Sequence, residues 1–97
     1  MEGLFAVYIG EQHILTKEIY GKEGKNYFPN KVLVPFGNFI VKEENEKIVF
    51  EYKFLPFYDE LFLMEESKEV YKGEMYVYKK RWFNFILYPI VGGEKCY

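Results

Sequence analysis

From Lys47 to Leu55 the chain alternates with a period of two: Ile48, Phe50, Tyr52 and Phe54 fall on one side, and Val49, Glu51 and Lys53 on the other. Successive side chains of extended backbone point to opposite faces, so this pattern predicts a strand with one face buried. A shorter run of the same kind, Asn38 to Lys42, precedes it, and Glu43-Glu44-Asn45-Glu46 between them has the length and polarity of a hairpin loop. The two runs are expected to pair antiparallel.

The alternation returns near the C-terminus. From Val70 to Lys79, Tyr71, Gly73, Met75 and Val77 alternate with Lys72, Glu74, Tyr76 and Tyr78. From Trp82 to Ile90, Trp82, Asn84, Ile86 and Tyr88 alternate with Phe83, Phe85 and Leu87, so this run is apolar on both faces. A strand of that kind is buried on both sides or lines a closed core. Lys79-Lys80-Arg81 reads as the solvated link before it, and Pro89 belongs near its end, where a missing N–H does least harm.

Two segments admit either period. Leu61 to Met64 reads as a buried strand, although Asp59 to Lys72 is also rich in helix formers, with Asp59 able to cap and Gly73 able to terminate. Glu11 to Tyr20 places Ile14, Leu15 and Ile19 at helical spacing, yet it follows the strand-like Leu4 to Ile9 and could form the return arm of a hairpin. Gly21 to Asn30 reads as a loop, Pro29 and Pro35 bracket the short run Lys31 to Val34, and Pro56 closes the long strand. Several short strands with polar turns predict a mainly β fold, a single antiparallel small barrel or strongly curved sheet with room for one short helix. Residues 1–97 form one domain on this reading, with a C-terminal tail from about residue 92.

Composition separates the function classes. Ten Phe, ten Tyr and one Trp stand against a single His, a single Cys, a single Ser and a single Asp. Rings supply buried area and contact surface, whereas a hydrolase or metalloenzyme needs converging nucleophiles, bases or ligands. His13 has no second His or Cys at ligand spacing, so no metal or other cofactor is expected. Ser67 lies in the turn-like Glu66-Ser67-Lys68 without the surroundings of a nucleophile elbow, and the glycines make no phosphate-binding motif. Asp59-Glu60 is the one adjacent acid pair of interest, but strand neighbours face opposite ways. Turn or cap formation by Asp59 and solvation of Glu60 are therefore expected instead of catalysis. Cys96 has no partner for an intrachain disulfide, which suits a reducing, cytoplasmic setting. No apolar run approaches membrane-spanning length, and the net charge of −2 gives no overall field to attract nucleic acid or an anionic membrane. No membrane partner is expected on these grounds.

Two binding readings remain. Lys79, Lys80 and Arg81 beside Trp82 form a candidate interaction surface, for single-stranded nucleic acid or for the rim of an acidic protein partner. Tyr76, Tyr78, Trp82, Phe85 and Tyr88 are candidate ligand contacts, since a small barrel can hold an apolar molecule with Tyr hydroxyls placing a few polar contacts. A solid core filled by rings is the alternative.

Tyr20-Gly21-Lys22, Asp59-Glu60-Leu61 and Tyr71-Lys72-Gly73-Glu74-Met75-Tyr76, followed by the aromatic run Trp82 to Leu87, resemble in order the marks of the small lipocalin-like (calycin-like) domain found after the GXWXG domain. Tyr20 stands where that family's opening motif has Trp. The resemblance implies an antiparallel barrel or half-barrel, a lipid-like ligand and no catalytic residues. The expectation is thus a non-enzymatic binding protein, either a protein-interaction module, as in a phage or mobile-element accessory protein, or a small barrel holding an apolar ligand. A small-barrel single-stranded nucleic-acid-binding module is the alternative. A homo-oligomer is compatible with each.

Overall fold

The computed structural model describes residues 1–28, 36–65 and 68–90. Eight strands follow one another as β1 (Gly3–Ile9), β2 (Gln12–Tyr20), β3 (Glu23–Tyr27), β4 (Phe36–Glu44), β5 (Lys47–Tyr52), β6 (Phe57–Glu65), β7 (Val70–Val77) and β8 (Lys80–Ile90). Each pairs antiparallel with the next, and β8 returns to β1, with Leu4 opposite Ile90 and Tyr8 opposite Ile86, so the sheet closes into a barrel in strand order. Closure removes the unpaired edges that an open sheet of this aromatic content would expose. No helix long and apolar enough to cross a membrane occurs among the described residues.

An eight-stranded barrel leaves an interior just wide enough for side chains to fill. Here Phe5, Val7, Ile19, Phe39, Phe50, Leu61, Phe85 and Leu87 fill much of it, with Val41 and Tyr71 completing the buried cluster. Two inward glycines make room for rings. Gly24 pairs across the sheet with Phe39, and Gly73 with Phe85. A Cβ on either glycine would collide with the facing ring. The bare backbone thus accepts an aromatic face, a cross-strand arrangement that compensates a glycine in a strand.

Both segments that admitted either period are strands. Residues 61–64 lie within β6, which pairs with β7 and up to Leu61 also with β5, and Gln12–Tyr20 forms the return arm of the first hairpin, paired with β1 and from Thr16 onwards with β3; these ladders satisfy backbone groups that a short isolated helix would leave to water. Asp59 accordingly neither caps a helix nor forms a turn; it is an inward residue of β6. The segment Gly21 to Asn30 also departs from expectation, for Glu23–Tyr27 is a strand whose inward residues are Gly24 and Asn26, not hydrophobic ones. Lys80 and Arg81 belong to β8, which shortens the link before it to Tyr78-Lys79. Both turn residues have positive φ, 52° and 67°, the backbone of a type I′ hairpin, whose twist matches that of the strands. Cys96, Ser67 and the run Lys31 to Val34 with its flanking prolines lie outside the described residues.

Phe54 is the one member of the clearest alternation that leaves its face. The strand ends at Tyr52, and Phe54 sits in the following turn at φ 64°, fully exposed. Phe50 shows no exposed surface at all. Phe50→Ala should therefore cost about 3–5 kcal/mol in denaturant unfolding, whereas Phe54→Ala should fall within about 0.5 kcal/mol of wild type. Equal losses at the two positions would contradict the assigned end of β5.

Candidate functional site

Four polar side chains meet inside the barrel. Lys17 of β2, Asn26 of β3, Tyr52 of β5 and Asp59 of β6 all point inward, and Lys17 and Asp59 are only 3% and 2% exposed. The register brings them together, since Lys17 lies opposite Asn26, while Asp59 lies opposite Phe50, two residues from Tyr52. Lys17 Nζ donates to Asn26 Oδ1 at 2.8 Å and to the Tyr52 hydroxyl at 2.7 Å, and stands 3.4 Å from Asp59 Oδ2. Tyr52 in turn donates to Asp59 Oδ2 at 3.3 Å. Asn26 Nδ2 donates to the Tyr52 hydroxyl at 3.1 Å and to the Gly37 carbonyl at 3.3 Å. The last contact requires Gly37, because a Cβ there would lie 2.9 Å from Asn26 Nδ2 and the residue has φ 65°. The ammonium also stands 4.7 Å from the centre of the Phe39 ring, 5.2 Å from that of Tyr52 and 5.4 Å from that of Phe50. Desolvated cation–π contacts of this kind favour the charged lysine.

Burial alone would push Lys17 down, but the Tyr52 and Asp59 contacts outweigh it and raise it above its ordinary 10.5. For Asp59 the balance runs the other way: burial raises the carboxyl above 3.8, and Lys17 and Tyr52 only partly offset that rise. Tyr52 is also raised, by burial first. The pair is thus held in a setting that charges the lysine readily and the aspartate reluctantly. No buried side-chain polar atom among the described residues lacks a hydrogen-bond partner.

Beside this cluster lies a cavity of about 180 Å³. Val7, Leu15, Met75, Phe83 and Phe85 supply apolar walls, and the four polar residues line it as well. Ile14 reaches it through a bulge, for Val7 pairs with Leu15 and Tyr8 with His13, so Ile14 is the extra residue on β2. Leu55 and Phe57, from the β5–β6 connection and the start of β6, line the end of the barrel that carries the β1–β2, β5–β6 and β7–β8 turns. The interior is therefore neither wholly solid nor a wide ligand chamber. One half is packed, and the other keeps a space slightly larger than the ~150 Å³ that suffices for benzene in an apolar cavity.

The five aromatic residues expected to surround a ligand do not converge. Phe85 lines the cavity, whereas Tyr76 faces outward, stacked on Tyr58 at 4.9 Å and donating to Glu74 at 3.1 Å. Tyr88 faces outward against Tyr8, their ring centres 5.5 Å apart. Tyr78 occupies the hairpin turn and is 75% exposed, and Trp82 is 66% exposed. Strand alternation separates them, because rings on opposite faces of one sheet cannot share an interior site. Lys79, Lys80 and Arg81 are exposed beside Trp82, and Arg81 lies 3.7 Å from Glu74. Asp59 and Glu60 do face opposite ways; Glu60 pairs with Lys47 at 2.8 Å. His13 stacks on Tyr8 and its Nε2 lies 3.1 Å from Thr16 Oγ1. No group of three His, Cys, Asp or Glu residues suited to a metal occurs among the described residues.

Comparison with known proteins finds no matching family model, and neither a curated protein nor a solved structure with significant similarity to this chain.

A buried ion pair should be most costly when half removed. Lys17→Met, which leaves Asp59 without its cation, should destabilise by about 3–5 kcal/mol, and adding Asp59→Leu should restore most of that loss or exceed it. The pH dependence has a defined sign, because both groups are raised. Each contributes stability that is complete below its ordinary value, 3.8 for Asp59 and 10.5 for Lys17, and is lost as pH rises through its folded value. Urea unfolding should show wild type losing ground to the Lys17→Met/Asp59→Leu variant in two steps, one above 3.8 and one above 10.5. A gain through the acid step would mean that the attraction of Lys17 outweighs burial at Asp59.

Proposed function

We propose that this chain is a non-enzymatic binding protein that takes a small, largely apolar molecule with one polar group into the barrel interior. The observation that carries this reading is the juxtaposition of an apolar-walled cavity of about 180 Å³ with the buried Lys17–Asp59 pair. A core whose only task is stability gains little from such a pair, because desolvating two charges offsets most of their attraction, and apolar replacements are often neutral or stabilising. Beside a cavity the same pair has a use: its hydroxyl, amide and charged neighbours can exchange a hydrogen bond with a hydroxyl or carbonyl of a guest while the walls bury the guest's carbon atoms. The volume limits the guest, or the part of it that enters, to about the size of a six-carbon chain or a single ring. The lipocalin-like resemblance of the sequence agrees with this reading.

Nothing in the cluster supplies a nucleophile with a matched base. Lys17 is raised, which works against an amine nucleophile, and Asp59 is its counter-ion. Binding without turnover is the simpler use of the same groups.

The probe for this reading is 1-hexanol. It should bind saturably and raise the melting temperature, since a ligand that favours the folded state stabilises it by mass action. Met75→Trp, which fills the cavity from β7, should abolish both effects while the barrel stays folded by circular dichroism. Ile86, which lies between Phe85 and Leu87 on the outer face of β8, should tolerate the same replacement without loss of binding. Absence of a saturable response in the wild-type protein, or a response that survives Met75→Trp, would contradict the proposal.

A further inference from the structure

The formal charge of −2 hides a separation of charge along the barrel. The β4–β5 hairpin at one end carries the exposed Glu43, Glu44 and Glu46. At the other end, the β5–β6 and β7–β8 connections and the first residues of β8 read Lys53-Phe54-Leu55-Pro56 and Tyr78-Lys79-Lys80-Arg81-Trp82, with no acid in either, while the β1–β2 turn at that end carries the exposed Glu11. Lys53 and Arg81 are paired with Glu23 and Glu74, at 3.3 and 3.7 Å. Lys79 and Lys80 make no ion pair among the described residues.

The same end exposes apolar side chains in conformations that must be held there. Phe54 is fully exposed at φ 64°, and Tyr78 at φ 52° and Lys79 at φ 67° are left-handed without being glycine. Asn45 and Glu69, at the opposite end, share that conformation, so the exposure of Phe54, Tyr78 and Trp82 beside the cations, and not the backbone, sets this end apart. Trp82 is the extra residue of a bulge, since Tyr76 pairs with Arg81 and Met75 with Phe83. The bulge turns the indole outward into a cleft lined also by Phe57, Val77, Lys80 and Arg81. The two connections are tied to each other, for the Tyr78 amide donates to the Pro56 carbonyl at 3.1 Å. Phe57 lines both this outer cleft and the interior cavity, so the patch adjoins the cavity's end of the barrel.

We propose that this end docks on an anionic lipid surface, with Phe54, Leu55, Tyr78 and Trp82 entering the headgroup region and Lys79, Lys80 and Arg81 meeting the lipid phosphates and carboxylates. Aromatic rings favour the interfacial layer, basic side chains on long stems reach anionic headgroups, and the acidic β4–β5 end is repelled from them. Leu55 beside the fully exposed Phe54 joins aliphatic to aromatic surface at the tip, which suits an acyl boundary, whereas a nucleic-acid base would use the rings alone and leave Leu55 without a partner. This inference goes beyond the interior binding reading and stands on other residues, apart from Leu55 and the shared Phe57.

Vesicle co-sedimentation and the emission of the single Trp test it with the intact chain. Phosphatidylcholine vesicles containing phosphatidylserine should sediment the protein and shift its Trp82 emission to shorter wavelength, whereas vesicles of phosphatidylcholine alone should do neither appreciably. Lys79→Gln, Lys80→Gln and Arg81→Gln should each weaken binding by about five-fold, the counterpart of ~1 kcal/mol per cation near an anionic surface. Phe54→Gly, which suits the positive φ and should leave the melting temperature undiminished, should weaken binding as well. Binding that is absent, that is equal for the two vesicle types, or that survives the triple Gln variant would overturn the proposal. So would salt-sensitive binding of a poly-dT strand through the same three cations at concentrations where the vesicles do not bind. Uptake of 1-hexanol by the triple variant, measured without vesicles, reads the interior site separately, so failure of docking and failure of interior binding are distinguishable.

Discussion

Closure of β8 onto β1 sets the terms for everything else in this molecule. Once Leu4 through Tyr8 are paired with both β2 and β8, the eight strands form one closed ring, and the interior becomes a fixed narrow space to be filled by whatever the inward positions provide. With so many Phe and Tyr in the chain, filling that space is a matter of fit, not of supply. Gly24 and Gly73 solve it by giving up their side chains to Phe39 and Phe85. Towards the end bearing the β5–β6 and β7–β8 turns the solution differs: Lys17, Asn26, Tyr52 and Asp59 take inward positions among apolar side chains, and a cavity remains.

That change of filling explains why a lysine and an aspartate are found inside a small barrel. Lys17 has three oxygen partners within 3.4 Å and rings around it, so its charge is compensated within the cluster. Asp59 has weaker compensation, with its contacts at 3.3 and 3.4 Å, and burial dominates its titration. A pair so arranged lends directionality to the interior at the expense of some stability, and in the binding we propose a polar group on the guest would use it. On the outer surface three acids gather on the β4–β5 hairpin, and cations with exposed rings lie on the β5–β6 and β7–β8 connections at the opposite end, which also carries Glu11.

Most of the fold was legible in the sequence because most strands obey the period-two rule that a half-buried sheet imposes. Residues 47–52, 70–77 and 82–90 announce themselves, and their face sets hold in the structure. The strand Glu23–Tyr27 did not, since its inward positions are a glycine that accommodates a ring and an asparagine that serves a polar cluster, and neither registers as hydrophobic. The site was less legible for a related reason. Lys17, Asn26, Tyr52 and Asp59 are spread over some forty positions and become neighbours only through register. The one available signal was Asp59 itself, the only aspartate, placed on the same face as Leu61 and Phe57 instead of in a turn. The clustered aromatics near the C-terminus are adjacent in sequence, but adjacency in a strand sends them to opposite faces.

A guest that enters as proposed lies beside the polar cluster and touches Val7, Ile14, Leu15 and Met75. Nuclear Overhauser measurements between protonated 1-hexanol and protein labelled at Met, Ile, Leu and Val methyl groups test it most directly. Contacts are expected from the guest to the methyls of Met75, Leu15, Ile14 and Val7, with none to Ile86 on the outer face. Contacts confined to the outer surface, or none at saturating guest, would contradict it.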